Sequence, residues 1–178
     1  YDTYDLMPYL HANENVIGVI LGNGFQNDFG GAVWDFDKAV WRSAPKLAME
    51  FYAEGNGKSL AFEADEQFLT HPSPILFDEY RLGEIYDAQR DIAGWNLPGF
   101  DASGWTPAIP TDAPKGILSE CHAEPIRCYE TLTAVSVTPC DGGYLYDFGK
   151  NTAGICRLHL TGATPGQTVV IQFCERLK

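Results

Sequence analysis

KLAMEFYAEGNGKSLAFEA, residues 46–64, is the stretch from which the fold class is read. Its first half is ambiguous. Leu47, Met49 and Phe51 alternate as on a strand, while Ser43 and Pro45 could cap a helix that places Leu47, Phe51 and Tyr52 on one side. The second half resolves the choice. Glu54-Gly55-Asn56-Gly57-Lys58 carries Asn and Gly where a tight hairpin turn needs positive φ. Ser59 to Ala64 then resumes a period of two, with Leu60, Phe62 and Ala64 on one face. An antiparallel hairpin is predicted.

The same grammar extends in both directions. Val16 to Leu21 (VIGVIL) is short, β-branched and apolar on both faces, bounded by Asn13-Glu14-Asn15 and Gly22-Asn23-Gly24, and is predicted to be a strand buried on both sides. Thr131 to Val137 alternates, and Tyr144 to Phe148 follows a Gly142-Gly143 turn. Gly154 to Leu160 and Thr168 to Phe173 are two more expected strands. Between the halves, His71 to Pro114 is rich in Pro, Gly, Trp and Asp, with brief extended pieces at Ile75 to Phe77 and Glu84 to Tyr86. A loop of that length is usually functional or laid against a neighbour. With 18 Gly and 11 Pro spread between short apolar runs, the chain reads as all-β. Composition changes near Pro110 to Ile117, which places a domain boundary between 1–114 and 115–178. About four strands follow that boundary, against roughly seven in a complete sandwich, so a fragment of something longer is expected.

The 178 residues are 45% apolar and 20% charged, which suits one ordinary domain, or a small domain plus part of another, and excludes a disordered tail. Against 24 acidic side chains stand 12 scattered basic ones, a net charge of −12, which leaves no patch to follow a nucleic-acid backbone. No apolar run approaches the roughly 18 to 20 residues that span a bilayer, and Tyr1 to Asp5 lacks the basic start and apolar stretch of a signal peptide. A soluble chain is expected; cytoplasm, periplasm and exterior all fit it. Cys121, Cys128, Cys140, Cys156 and Cys174 are odd in number and form no Cys-x-x-Cys pair, which argues against a disulfide framework or a zinc site.

Few motifs carry chemistry. Gly55-Asn56-Gly57-Lys58-Ser59 resembles the end of a phosphate loop, but Tyr52 stands where its first glycine belongs. Gly22-Asn23-Gly24 lacks the third glycine of a dinucleotide fingerprint, because that position is Asn27. His11, His71, His122 and His159 have no partner at metal spacing, and there is no Gly-x-Ser-x-Gly elbow. Asp35 and Asp37 would project to one side of an extended segment and could offer hard oxygens to calcium, though two carboxylates make a weak site. No cofactor is required. Glu84 and Asp87 flank a compact turn-like run in which a hydrogen-bonding role outweighs a catalytic one. Trp95 and Trp105, with Trp34 and Trp41, sit in loop-like surroundings where an aromatic face could pack on a sugar ring or plug the end of a sandwich. The plug is the simpler reading.

Taken in order, Tyr4-Asp5-Leu6, Glu14 to Val19, Leu21 to Phe25, Gly83 to Ala88, Gly94-Trp95 to Trp105, and Tyr146 to Asn151 with Ala153-Gly154 resemble the N-terminal region of bacterial α-L-rhamnosidases. The likeness covers nearly the whole chain. It implies a jelly-roll, galactose-binding-like β-sandwich of carbohydrate-binding type, followed by the opening strands of a second sandwich. In that family, inverting hydrolysis of terminal α-L-rhamnosides is done by carboxylates in a separate (α/α)₆ barrel, which nothing here resembles. The resemblance therefore implies a non-catalytic segment that packs on its own catalytic domain. Sugar-binding candidates are Trp95, Trp105, Glu84 and Asp87, and the implied partner is a rhamnose-containing glycan. An autonomous lectin-like module and an interaction scaffold without sugar affinity are the competing readings. Departures from the family pattern are Gln89 where Arg is usual in Tyr86-Asp87-Ala88-Gln89, and Lys150 and Ile155 where Gln and Trp are usual.

Overall fold

The computed structural model describes residues 1–30, 34–113 and 115–174. Pro114, at the expected boundary, and the terminal residues 175–178 lie outside that set. The fold is all-β; among the described residues eight strands are joined as four two-stranded antiparallel sheets, with three short 3₁₀ turns, Met7–Tyr9, Phe36–Lys38 and Ala88–Arg90. Among the described residues no helix is long and apolar enough to cross a membrane. The chain divides into two units, Tyr1–Glu120 and Cys121–Lys178.

In the first unit, β1 (Glu50–Gly55) and β2 (Lys58–Glu63) form the hairpin read from the sequence, in register Phe51↔Phe62 and Ala53↔Leu60. Asn56 and Gly57 carry φ of 52° and 71°, the two positive values that a primed turn needs to match strand twist. The Phe51 and Phe62 rings stack at 4.9 Å, a cross-strand pair contributing about 0.5–1.5 kcal/mol beyond its buried area. β3 (Leu69–Thr70) pairs with β6 (Thr106–Pro107), and the Ala108 amide donates to the Phe68 carbonyl at 2.7 Å. The long excursion from His71 is thus clipped shut at its neck. Inside it, the two brief extended pieces pair as a second hairpin, β4 (Ile75–Glu79) with β5 (Gly83–Tyr86).

In the second unit, β7 (Ser136–Cys140) pairs with β8 (Gly143–Asp147). The Val135 amide donates to the Asp147 carbonyl at 2.7 Å, and the Asp147 carboxylate accepts from the Gly149 amide at 2.7 Å. All five cysteines are free and exposed.

Three expected strands are corrected. Val16 to Leu21 joins no ladder among the described residues, and its apolar side chains are 37–59% exposed instead of buried on both sides. Gly154 to Leu160 and Thr168 to Phe173 likewise pair with nothing described. Apolar periodicity records which residues favour burial; a ladder also needs a neighbour that presents its backbone, and these segments have none described. Among the described residues no apolar side chain is fully buried.

Candidate functional site

The β4–β5 hairpin organises the most densely bonded part of the first unit. Its turn is closed by Glu79, whose Oε2 accepts the backbone amides of Arg81 (2.8 Å) and Leu82. One residue earlier, Asp78 takes the loop after Leu21 in hand. Its carboxylate accepts the Asn23 backbone amide at 2.8 Å and the Asn23 side-chain amide at 2.5 Å, and its carbonyl accepts that same Nδ2 at 2.9 Å. Asn23 Oδ1 in turn accepts from Asn27 Nδ2 at 2.6 Å, and Arg42 Nη2 reaches Asn27 Oδ1 at 3.3 Å. A polar relay therefore runs from the hairpin through the loop to Arg42.

Rings surround this relay. Phe36 meets Trp34 at 5.1 Å, Phe25 at 5.3 Å and Trp41 at 6.0 Å, while Phe25 meets Tyr80 edge-on at 6.0 Å. The Arg81 guanidinium lies 3.9 Å over the Trp34 ring and that of Arg42 lies 4.3 Å over Phe29, each a cation–π contact of about 0.5–2 kcal/mol. A shallow cleft of about 300 Å³ opens beside the hairpin turn, lined by Gly24, Asp78, Glu79, Tyr80, Gly83 and Glu84. Its acidic lining suits donors such as hydroxyls or a cation rather than an anion. Replacing Asp78 by alanine strands the Asn23 donors and is expected to cost about 1–2 kcal/mol. The change would register as a lower urea midpoint and faster proteolysis between residues 22 and 42 in the full-length protein.

The sugar-binding candidates are not gathered in one place. Glu84 lines the cleft. Asp87 is occupied locally: its carboxylate accepts the Gln89 amide at 3.1 Å, caps the Ala88–Arg90 turn and pairs with Arg90 Nε at 3.3 Å. Trp95 and Trp105 belong to a different cluster, stacked at 6.3 Å, with His71 and Phe100 at 5.2 and 5.7 Å from Trp105. Both tryptophans are half-buried, and the Trp95 ring edge sits where a side chain on Gly18 would be. Both rings are thus packed against other side chains.

Nearby, the Tyr86 hydroxyl donates to Asp91, which raises the Tyr86 pKa above its ordinary value, with burial and the Asp91 and Glu84 charges adding to the shift. Asp101 is held below the ordinary carboxylate range by hydrogen bonds from the Ser103 amide and side chain.

Asp35 and Asp37 do not lie on an extended segment. Asp35 caps the Phe36–Lys38 turn, its carbonyl accepting the Lys38 amide at 3.1 Å, and its exposed carboxylate pairs with Lys38 Nζ at 3.2 Å. A 3₁₀ turn rotates successive side chains by about a third of a revolution, so the two carboxylates lose the shared face a strand would give them. Among the described residues no group of three or more His, Cys, Asp or Glu is placed to hold a metal ion.

Sequence reasoning passed over Asp28, Asp78, Glu79, Arg42 and Arg81. The available signal was the polar run Asn23 to Asp28 directly after an apolar strand-like segment, which has no period to detect.

A family model described as the alpha-L-rhamnosidase N-terminal domain matches residues 1–130. The chain is similar to the alpha-L-rhamnosidase of Streptomyces avermitilis, 29% identical over 99% of this chain and 17% of that protein. The alpha-L-rhamnosidase of Alteromonas sp. is 28% identical over 98% of this chain and 19% of its own length. That of Formosa agariphila is 27% identical, with 99% and 19% covered. The chain thus spans 17–19% of the length of these curated relatives. Among solved structures, the alpha-L-rhamnosidase from Dictyoglumus thermophilum is 37% identical with a TM-score of 0.55, covering 62% of this chain and 13% of that one.

Proposed function

This chain belongs to the alpha-L-rhamnosidase N-terminal domain family, and from that premise we propose that it is a non-catalytic β-sandwich segment that packs against the catalytic domain of a rhamnose-releasing glycosidase. One observation carries the reading: four two-stranded sheets present apolar side chains such as Leu60, Ile85 and Val137 at 50–57% exposure, with no apolar residue fully buried among those described. A lone two-stranded hairpin is marginal in water, and three or more strands, or a packed partner, are needed to hold it. Surfaces of this kind suit a region completed by further protein. On this reading residues 1–114 are part of a jelly-roll module and 115–178 begin a second sandwich. The partner is the chain's own catalytic (α/α)₆ domain, and the inverting hydrolysis of α-L-rhamnosides takes place there.

Sugar recognition within the segment is the finer part of the proposal. Glu84 is the candidate with room to act, because it lines the cleft, whereas Trp95 and Trp105 are engaged with each other. The segment needs no cofactor for this; calcium is the ion its carboxylates would suit.

The experiment is an activity assay paired with calorimetry. The 178-residue chain alone should leave an aryl α-L-rhamnoside intact while the full-length protein hydrolyses it. Turnover by the segment would overturn the non-catalytic reading. Titration of the segment with rhamnose, with and without calcium, should give heat that Glu84→Gln removes. Absence of heat leaves packing alone and sinks the sugar-binding part.

A further inference from the structure

Gly-Asn-Gly occurs twice in the chain, at 22–24 and 55–57, and neither copy completes the phosphate or dinucleotide motif it resembles. Asn followed by Gly carries a chemistry of its own. The Gly amide nitrogen can attack the Asn carboxamide carbon, because the five-membered ring holds nucleophile and electrophile together and no Cβ on the glycine obstructs the approach. Base removes the Gly amide proton, and the new bond from nitrogen to Cγ expels the carboxamide nitrogen, which takes up a proton and leaves as ammonia. Water then opens the cyclic imide at one carbonyl or the other and yields Asp or a β-linked isoaspartate. The balance needs no oxidant, metal or second protein.

Identical in sequence, the two copies differ in setting. Asn56 is exposed at the tip of the β1–β2 hairpin with φ of 52°, and Gly57 follows at 71° with nothing within 4 Å of where a Cβ would lie. Neither the Asn56 carboxamide nor the Gly57 amide is hydrogen-bonded among the described residues. Asn23 is half-buried and tied down. Its Nδ2 donates to Asp78 Oδ1 at 2.5 Å and to the Asp78 carbonyl at 2.9 Å, and its Oδ1 accepts from Asn27 Nδ2 at 2.6 Å. Its backbone amide donates to Asp78 Oδ2 at 2.8 Å. Access to the glycine does not separate the copies, since a Cβ on Gly24 would also meet nothing within 4 Å. The carboxamide does. Ring closure requires the Asn23 side chain to turn back toward Gly24, which strips Asp78 of its side-chain donor. The product would also set a second carboxylate against that of Asp78, where like charges oppose each other.

We infer that Asn56 is a site of spontaneous deamidation and that Asn23, in the same tripeptide, is shielded from it by Asp78.

The two products act differently on the hairpin. Asp adds one negative charge to a chain of net charge −12 and leaves a residue that a primed turn still accepts, since Asp-Gly shares the preference of Asn-Gly. Isoaspartate inserts an extra carbon into the main chain of a two-residue turn. That turn sets the Phe51↔Phe62 register, so the β-linked form should loosen the pairing of β1 with β2.

The test ages the full-length native protein at mildly alkaline pH, digests it, and follows by mass the peptides that contain residues 23 and 56. Asn56 should convert at least about tenfold faster than Asn23, the factor expected from one charge-assisted hydrogen bond that only Asn23 must break. In the same chain unfolded in urea the two should convert at similar rates. Asp78→Ala should bring the native Asn23 rate up toward that of Asn56 and leave Asn56 unchanged. Should that variant fail to fold, the comparison of native with unfolded protein decides alone. Equal native rates at the two positions, or an Asn56 that converts in urea but stays intact in the native protein, overturn the inference. A difference that persists undiminished in urea, or an Asn23 that stays intact in folded Asp78→Ala, overturns the shielding by Asp78.

Discussion

Gly30→Ala is expected to destabilise the first unit by about 2–5 kcal/mol, the sum of a left-handed backbone and an overpacked contact. Gly30 sits at φ 78°, and a Cβ built there falls 2.0 Å from the Trp34 carbonyl oxygen and 2.9 Å from its carbon. The obstacle is backbone, so no rotamer change relieves it. The Gly30 and Trp34 backbones cannot separate without losing the Trp34 amide bond to the Gly30 carbonyl at 3.2 Å. Gly57→Ala is the control. Its φ of 71° carries the same backbone cost, but nothing lies within 4 Å of its Cβ, so the loss should stay near 1–2 kcal/mol. Urea midpoints of the full-length protein and its two variants measure both. Equal losses at the two positions would mean that crowding by Trp34 contributes nothing and that the Gly30 and Trp34 backbones lie further apart than described.

The contrast between those glycines also marks what a sequence can disclose. Gly57 was legible, because Asn-Gly between two alternating runs has one common structural use, and the β1–β2 register followed from it. β8, after the Gly142-Gly143 turn, was legible for a similar reason, whereas the alternation at Thr131 to Val137 overlaps its partner β7 only at Ser136 and Val137. Gly30 was not, since its constraint is the Trp34 carbonyl four residues on, and no periodicity in the sequence signals that approach. The burial of Asp28 and Glu79 was illegible for a related reason: they lie 51 positions apart, and nothing in their own stretches sets them apart from the exposed carboxylates. The error over Val16 to Leu21 had a different origin. VIGVIL records a preference for burial, and burial requires a partner surface that the segment itself cannot specify. Asp35 and Asp37 were misplaced because alternation over three residues is too short to separate a strand from a 3₁₀ turn. The family resemblance supplied what local patterning could not, namely membership of the alpha-L-rhamnosidase N-terminal domain family, and the match over residues 1–130 supports that identification independently of any single motif.

Gly18→Val tests what holds the VIGVIL segment in place when no strand pairs with it. A Cβ at Gly18 would fall 2.5 and 2.7 Å from two ring carbons of Trp95 and 3.2 Å from the Asn96 Cβ. An indole edge could swing away if it were free, but Trp95 is stacked on Trp105, which is itself flanked by His71 and Phe100. Insertion must therefore displace the whole aromatic cluster or push the segment off it. The expected loss is about 2–3 kcal/mol, the usual range for overpacking a filled contact, accompanied by a change in tryptophan emission. Truncating the obstacle separates this from any general cost of valine at that position. In a Trp95→Leu background the same Gly18→Val change should cost much less, because the atoms it strikes are gone, and the two substitutions should couple by about 1 kcal/mol or more. Additive losses would show that Gly18 and Trp95 do not meet in solution, and that the segment is held by something other than the tryptophan cluster.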